Sequence, residues 1–156
     1  MRETRMPTKL STMSCGTGLI YFADSLSDME EPLFLTRAQI DRLHEKGLKK
    51  FGGSSGIRDE GLIQSALGSA QNAYYYGGGD LFDIAAAYAF HLAQSQAFVD
   101  GNKRTGMGAA LAFLEVNGMR IQATNDALYD AMIDIAEKRL DKTGLAKILR
   151  DTAKPI

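Results

Sequence analysis

With 156 residues, 45% of them hydrophobic, the chain is long enough to bury one core without disulfides or a structural metal. Its 18 basic and 19 acidic residues are spread along the sequence and leave a formal net charge of −1, so no general affinity for nucleic acid or acidic membranes is expected and any phosphate chemistry must be local. The lone Cys15 excludes an internal disulfide, and no apolar run approaches the roughly 20 residues that span a bilayer, which points to a reducing, cytoplasmic setting.

Residues 1–30 carry scattered Ser, Thr and Met with little periodicity and read as a peripheral extension, non-native or disordered; Met29 suits a natural start. Residues 31–156 read as one domain. Thr36 with Gln39 makes a capping-box pattern, and Ile40, Leu43 and Leu48 follow at helical spacing until Gly52 and Gly53. Asp59 caps a short second helix carrying Leu62, Ile63, Ala66 and Leu67, which Gly68 is expected to end. Tyr74, Tyr75, Tyr76 and Gly77 then run into a glycine turn and read as an exposed flap or small β-hairpin. The alanine-rich stretch from Leu81 to about Gln96 predicts a third helix, with Ile84, Tyr88 and Leu92 facing the core. A fourth begins near Asn102 and runs to Asn117 and Gly118, its Gly106, Gly108, Ala109 and Ala112 allowing close backbone approach. Two more are expected, from about Asn125 to Arg139 and from about Lys142 to Thr152. The fold class is all-α, a bundle of about six helices with one small flap.

Between the third and fourth helices lies Gln96-Ala97-Phe98-Val99-Asp100-Gly101-Asn102-Lys103-Arg104-Thr105. A tight loop running into the first turn of a helix presents N–H groups without intrahelical partners, and the helix dipole there favours an anion. Gly101 permits close backbone approach, Lys103 and Arg104 add two cations, and Asp100 offers a hard oxygen suited to Mg²⁺. A plainer reading fits the same residues: Asp100 or Asn102 caps the helix and the cations are solvated. Local physics alone leaves both open.

The segment resembles the signature of the Fic/Doc superfamily, His-x-Phe-x-(Asp/Asn)-(Gly/Ala)-Asn-(Gly/Lys)-Arg, matching at Phe98, Asp100, Gly101, Asn102, Lys103 and Arg104. Gly56-Ile57-Arg58-Asp59-Glu60-Gly61-Leu62, Leu81-Phe82-Asp83 and Leu111-Ala112-Phe113-Leu114 resemble its death-on-curing (Doc) branch. The resemblance implies a Fic/Doc-type bundle that binds ATP and Mg²⁺. Asp100 would hold the metal; Gly101, Asn102, Lys103, Arg104 and Thr105 would meet the nucleotide; Phe98 would anchor the loop; and residues 74–77 would clamp a target peptide. Lysine rather than glycine at 103 is typical of Doc-type proteins, which resemble kinases, so the resemblance implies phosphate transfer to a translation elongation factor rather than AMP transfer. It also implies an antitoxin partner, with no nucleic acid and no membrane. Self-inhibition of the Fic kind is not expected, because the pattern beginning at Ser27 meets Pro32 at its last position.

One position departs from the signature. Gln96 stands where the family has histidine, and an amide can orient a hydroxyl but has no useful basicity near neutral pH. The resemblance thus implies a weakened transferase, or a silent nucleotide-binding or antitoxin-binding module. His91, about 140° around the helix from Gln96, reads as a packing residue, and His44 as a surface or boundary residue.

Overall fold

Six α-helices and two short strands follow one another along residues 31–156, the part of the chain that the computed structural model describes. Cys15, Ser27 and Met29 lie outside the described residues. Helix α1 (Arg37–Phe51) starts with the expected capping box between Thr36 and Gln39 and ends at Gly52, whose φ of 82° lets the chain turn away. Helix α2 (Glu60–Tyr75) is capped by the Asp59 carboxylate, which accepts the Leu62 N–H.

Gly68 does not end α2, contrary to the sequence expectation. A glycine stops a helix by adopting a positive φ, and Gly68 does not. Burial carries the helix onward: Ala70 is fully enclosed, and Tyr74 and Tyr75 set their rings 6.1 and 5.9 Å from that of Phe34. That outweighs the roughly 1 kcal/mol that an internal glycine costs. The expected strand-like flap at residues 74–80 is therefore corrected to a helix end followed by a short turn.

Helix α3 (Leu81–Ser95) is the middle of the bundle. Eight of its residues, Ile84 to Ala89 with Leu92 and Ala93, are buried. A helix apolar on most sides must be surrounded. It packs on α2, on α4 (Asn102–Val116) and on α6 (Lys142–Thr152). Gly106 marks the closest approach of α3 and α4, since a Cβ there would sit 2.7 Å from the Ala89 carbonyl oxygen. Close backbone approach, expected along the small-residue stripe, is seen at Gly106, whereas Gly108 meets only the Leu43 side chain at ordinary contact distance.

Helix α5 (Asn125–Ala136) stops three residues before the expected end. Lys138 adopts a left-handed φ of 64°, and the Asp134 carbonyl accepts both the Arg139 and Leu140 amides, reversing the chain. The antiparallel pairing lies where no sequence pattern announced it, between β1 (Met119–Ile121) and β2 (Ala153–Pro155), with Arg120 opposite Lys154. Three-residue strands leave too short an alternation to see.

Candidate active site

Residues 96–101 join the C-terminal end of α3 to the N-terminal end of α4, and the chain clamps them from three directions. Gln96 ends α3 in a left-handed conformation, φ 53° and ψ 45°, uncommon for a residue with a side chain, and stands exposed to solvent. On one flank runs the segment 56–59: Arg58 and Asp59 donate their amides to the Ala97 carbonyl at 2.7 and 3.0 Å, and Val99 donates to the Gly56 carbonyl at 3.0 Å. From below, Phe98 is buried and stacks on the His44 ring, centroids 3.9 Å apart and planes 15° apart. From α4, the Asn102 carboxamide takes the Phe98 N–H at 3.0 Å and donates to the Phe98 carbonyl at 2.9 Å. Asn102 holds the loop rather than presenting its amide outward, which revises its expected place as a phosphate donor.

Asp100 stands exposed at the tip. The Ser54 amide donates to one carboxylate oxygen at 3.1 Å and the Gly101 amide to the other at 2.8 Å. These two donated hydrogen bonds, assisted by the charge of Arg104, hold its carboxyl below the usual range. It is therefore ionised at neutral pH, with lone pairs to spare. Gly53 makes the approach possible: its φ is 119°, and a Cβ there would meet an Asp100 oxygen at 2.7 Å.

Helix α4 begins without a side-chain cap. Gly101 occupies the cap position in the left-handed region, φ 81°, with no side chain to accept the first amides. Lys103 is exposed in the first turn. Arg104 reaches across to α1, donating to the Gly52 carbonyl at 2.9 Å, its guanidinium 5.4 Å from the centre of the Phe51 ring. Its Nε is buried without a partner among the described residues. An uncapped helix start, an ionised carboxylate and two cations thus stand together, groups that can attract an anion and offer an oxygen to a hard cation.

Three sequence expectations need correction. Thr105 is only 2% exposed and its amide is already bonded to the Gly101 carbonyl, so it has no path to a ligand. Residues 74–77 are not beside this loop: α2 starts next to it at Asp59 and runs 16 residues away, about 24 Å at roughly 1.5 Å per residue. His44, read as a surface residue, is 6% exposed and sits under the loop, its Nε2 2.7 Å from the Asp100 carbonyl oxygen. The segment that does flank the loop is 52–59, whose Gly-Gly-Ser-Ser-Gly run gave the only sequence hint of it. His91 is as expected a packing residue, half-buried and accepting a hydrogen bond from Lys142 Nζ at 3.0 Å. Burial first, then the Lys142 charge, holds its pKa below 6.5.

A groove of about 530 Å³ lined by Phe90, Gln94, Ile135 and Leu140 lies elsewhere and includes none of the loop residues. No group of three or more His, Cys, Asp or Glu that could hold a metal lies among the described residues. No helix among them is long and apolar enough to cross a membrane.

Against known proteins, the Fic/DOC family profile matches residues 34–114, from the start of the core to the last turns of α4. The chain belongs to the Fic/DOC family. Two relatives agree. "Toxin Doc" of Mycolicibacterium smegmatis is 39% identical over 102 residues, covering 62% of this chain and 77% of the relative. "Protein kinase doc" of Escherichia phage P1 is 31% identical over 109 residues, covering 69% of this chain and 86% of the relative. The Fic/DOC match spans every residue of the loop and all three of its clamps, α1, residues 52–59 and Asn102.

Proposed function

We propose that this chain is a Doc-type toxin, silenced by an antitoxin, that transfers the terminal phosphate of ATP to a hydroxyl of a translation elongation factor in the cytoplasm. One observation carries the reading: α4 starts uncapped beside an exposed, ionised carboxylate and two cations. The relatives named "Toxin Doc" and "Protein kinase doc" support it.

The donors fit Mg²⁺ with a nucleotide, because that ion is commonly bound through one or two carboxylates plus substrate phosphates, and Asp100 is such a carboxylate. When bound, Mg²⁺ supplies charge neutralisation at the phosphates. The first amides of α4 orient the phosphate tail, Lys103 neutralises it, and Arg104 joins them on exchanging the Gly52 carbonyl for phosphate oxygen. Gln96, exposed at the loop entrance, orients the attacking hydroxyl and takes no proton. The hydroxyl oxygen bonds to the terminal phosphorus as the bond to ADP breaks, and the hydroxyl proton passes to water. Phosphoryl transfer depends chiefly on positioning and charge stabilisation, so loss of a general base slows it by about 10²- to 10⁴-fold without abolishing it.

The test uses ATP labelled at either end with the purified elongation factor. Label from the terminal phosphate is expected on the target; label from the α-phosphate would overturn phosphate transfer in favour of AMP transfer. A second reading, a silent binding module, is favoured by Gln96 alone. Gln96→His separates them: a rise in transfer toward 10²-fold or more marks a slowed enzyme, and no transfer from either protein marks the silent module.

A further inference from the structure

His44 lies buried beneath the loop, yet its place calls for more than a filler. Its Nε2 faces the Asp100 carbonyl oxygen at 2.7 Å. A carbonyl only accepts, so Nε2 carries the proton and donates. Asp100 C=O and Gly101 N–H belong to one planar peptide unit, which turns as a rigid body. The carbonyl end is held by His44, and the amide end points at the Asp100 carboxylate, 2.8 Å away. Fixing this plane sets ψ of Asp100 and φ of Gly101 together, the latter at 81°. Turning the plane over would take the Gly101 amide off the carboxylate and the cap residue out of the left-handed region.

We propose that His44 is a positioning residue: by holding the Asp100–Gly101 peptide plane, it keeps the carboxylate turned outward and α4 open at its first turn. The proposal rests on reading that turn as the Mg²⁺–ATP site. His44 is no substitute for the missing motif histidine, because its Nε2 is already engaged and the ring is stacked on Phe98 behind the loop. Packing alone would be served by phenylalanine or leucine, which carry no polar atom to desolvate. The ring nitrogen is justified by the bond it makes.

Two variants of the full chain separate donor from filler. His44→Phe keeps a ring against Phe98 and drops the donor; His44→Gln keeps a donor at similar reach and drops the ring. His44→Phe is expected to bind Mg²⁺–ATP about 5- to 10-fold more weakly by calorimetry, and its Val99 and Gly101 amides, both hydrogen-bonded in the loop, to exchange faster. His44→Gln is expected to return to within about 2-fold of the original affinity. Equal losses in both variants, or unchanged affinity and exchange in His44→Phe, overturn the proposal. In the unaltered protein, nitrogen-15 resonances of the His44 ring should show a protonated Nε2; an unprotonated Nε2 overturns it without any variant. Should the unaltered chain fail to bind Mg²⁺–ATP, the nucleotide reading falls, while amide exchange at Val99 and Gly101 still decides whether His44 holds the loop.

Discussion

Four of the described helices begin after an aspartate, and two of them, α3 and α4, use it in opposite ways. At α3, Asp80 directly precedes the first helical residue; its carboxylate accepts the Phe82 and Asp83 amides at 3.0 and 2.9 Å and is gripped by Arg150 at 2.9 Å. Burial alone would raise its pKa, but the Asp83 amide and the Arg150 guanidinium together hold it below the usual range. Every charge at that helix start is answered inside the protein. At α4, one residue more separates aspartate from helix, and that residue is Gly101 in the left-handed region. The Asp100 carboxylate cannot reach the helix amides, so both are left facing outward. With a single glycine between them, the aspartate no longer caps the helix.

A pair of alanine substitutions should separate the two helix starts most sharply. Asp100→Ala is expected to weaken Mg²⁺–ATP binding by about 100-fold in calorimetry, the loss of a charged ligand, with little change in melting temperature because the side chain is exposed. Asp80→Ala should do the reverse, costing about 1–2 kcal/mol of stability in urea unfolding through the lost cap, with unchanged nucleotide affinity. Similar effects of both changes on both quantities would erase the distinction. Gly53→Ala sharpens it further. The added methyl would press on the Asp100 carboxylate at 2.7 Å and strain a φ of 119°, so binding should fall about 10-fold and stability by about 1 kcal/mol. An affinity equal to that of the unaltered chain would mean that the 52–59 segment does not shape the site.

The helices were legible because their signals are local. Thr36 with Gln39, Asp59 and the alanine run of α3 each act within one turn of their own position. The loop was legible as a motif, but its construction was not. That residues 52–59 would lie along it and that His44 would reach a carbonyl 56 residues later depend on how distant segments pack, α1 against α4 among them, which no local spacing encodes. The tyrosines misled for the matching reason. Aromatic residues before a glycine turn suggest a strand, but Phe34 and the core behind it gave them a helical surface on which to pack.

The smallest expected effect concerns His91, outside both helix starts. Its neutral ring accepts from Lys142; protonation would remove that acceptor and set two cations together on a half-buried surface. Its folded pKa lies below the unfolded value near 6.5, so the unfolded chain binds the proton first as pH falls. Its contribution to stability is thus present above pH 6.5 and declines as the pH drops toward the lowered folded value. Melting temperatures between pH 7.5 and 5 should show this decline, and His91→Gln should flatten it by about a degree or two. Neither aspartate can produce a slope in that window, since both carboxyls are held below the ordinary carboxylate range. A slope that survives in His91→Gln would place the acid-sensitive group elsewhere and reopen the claim that the charges at the two helix starts stay fixed near neutral pH.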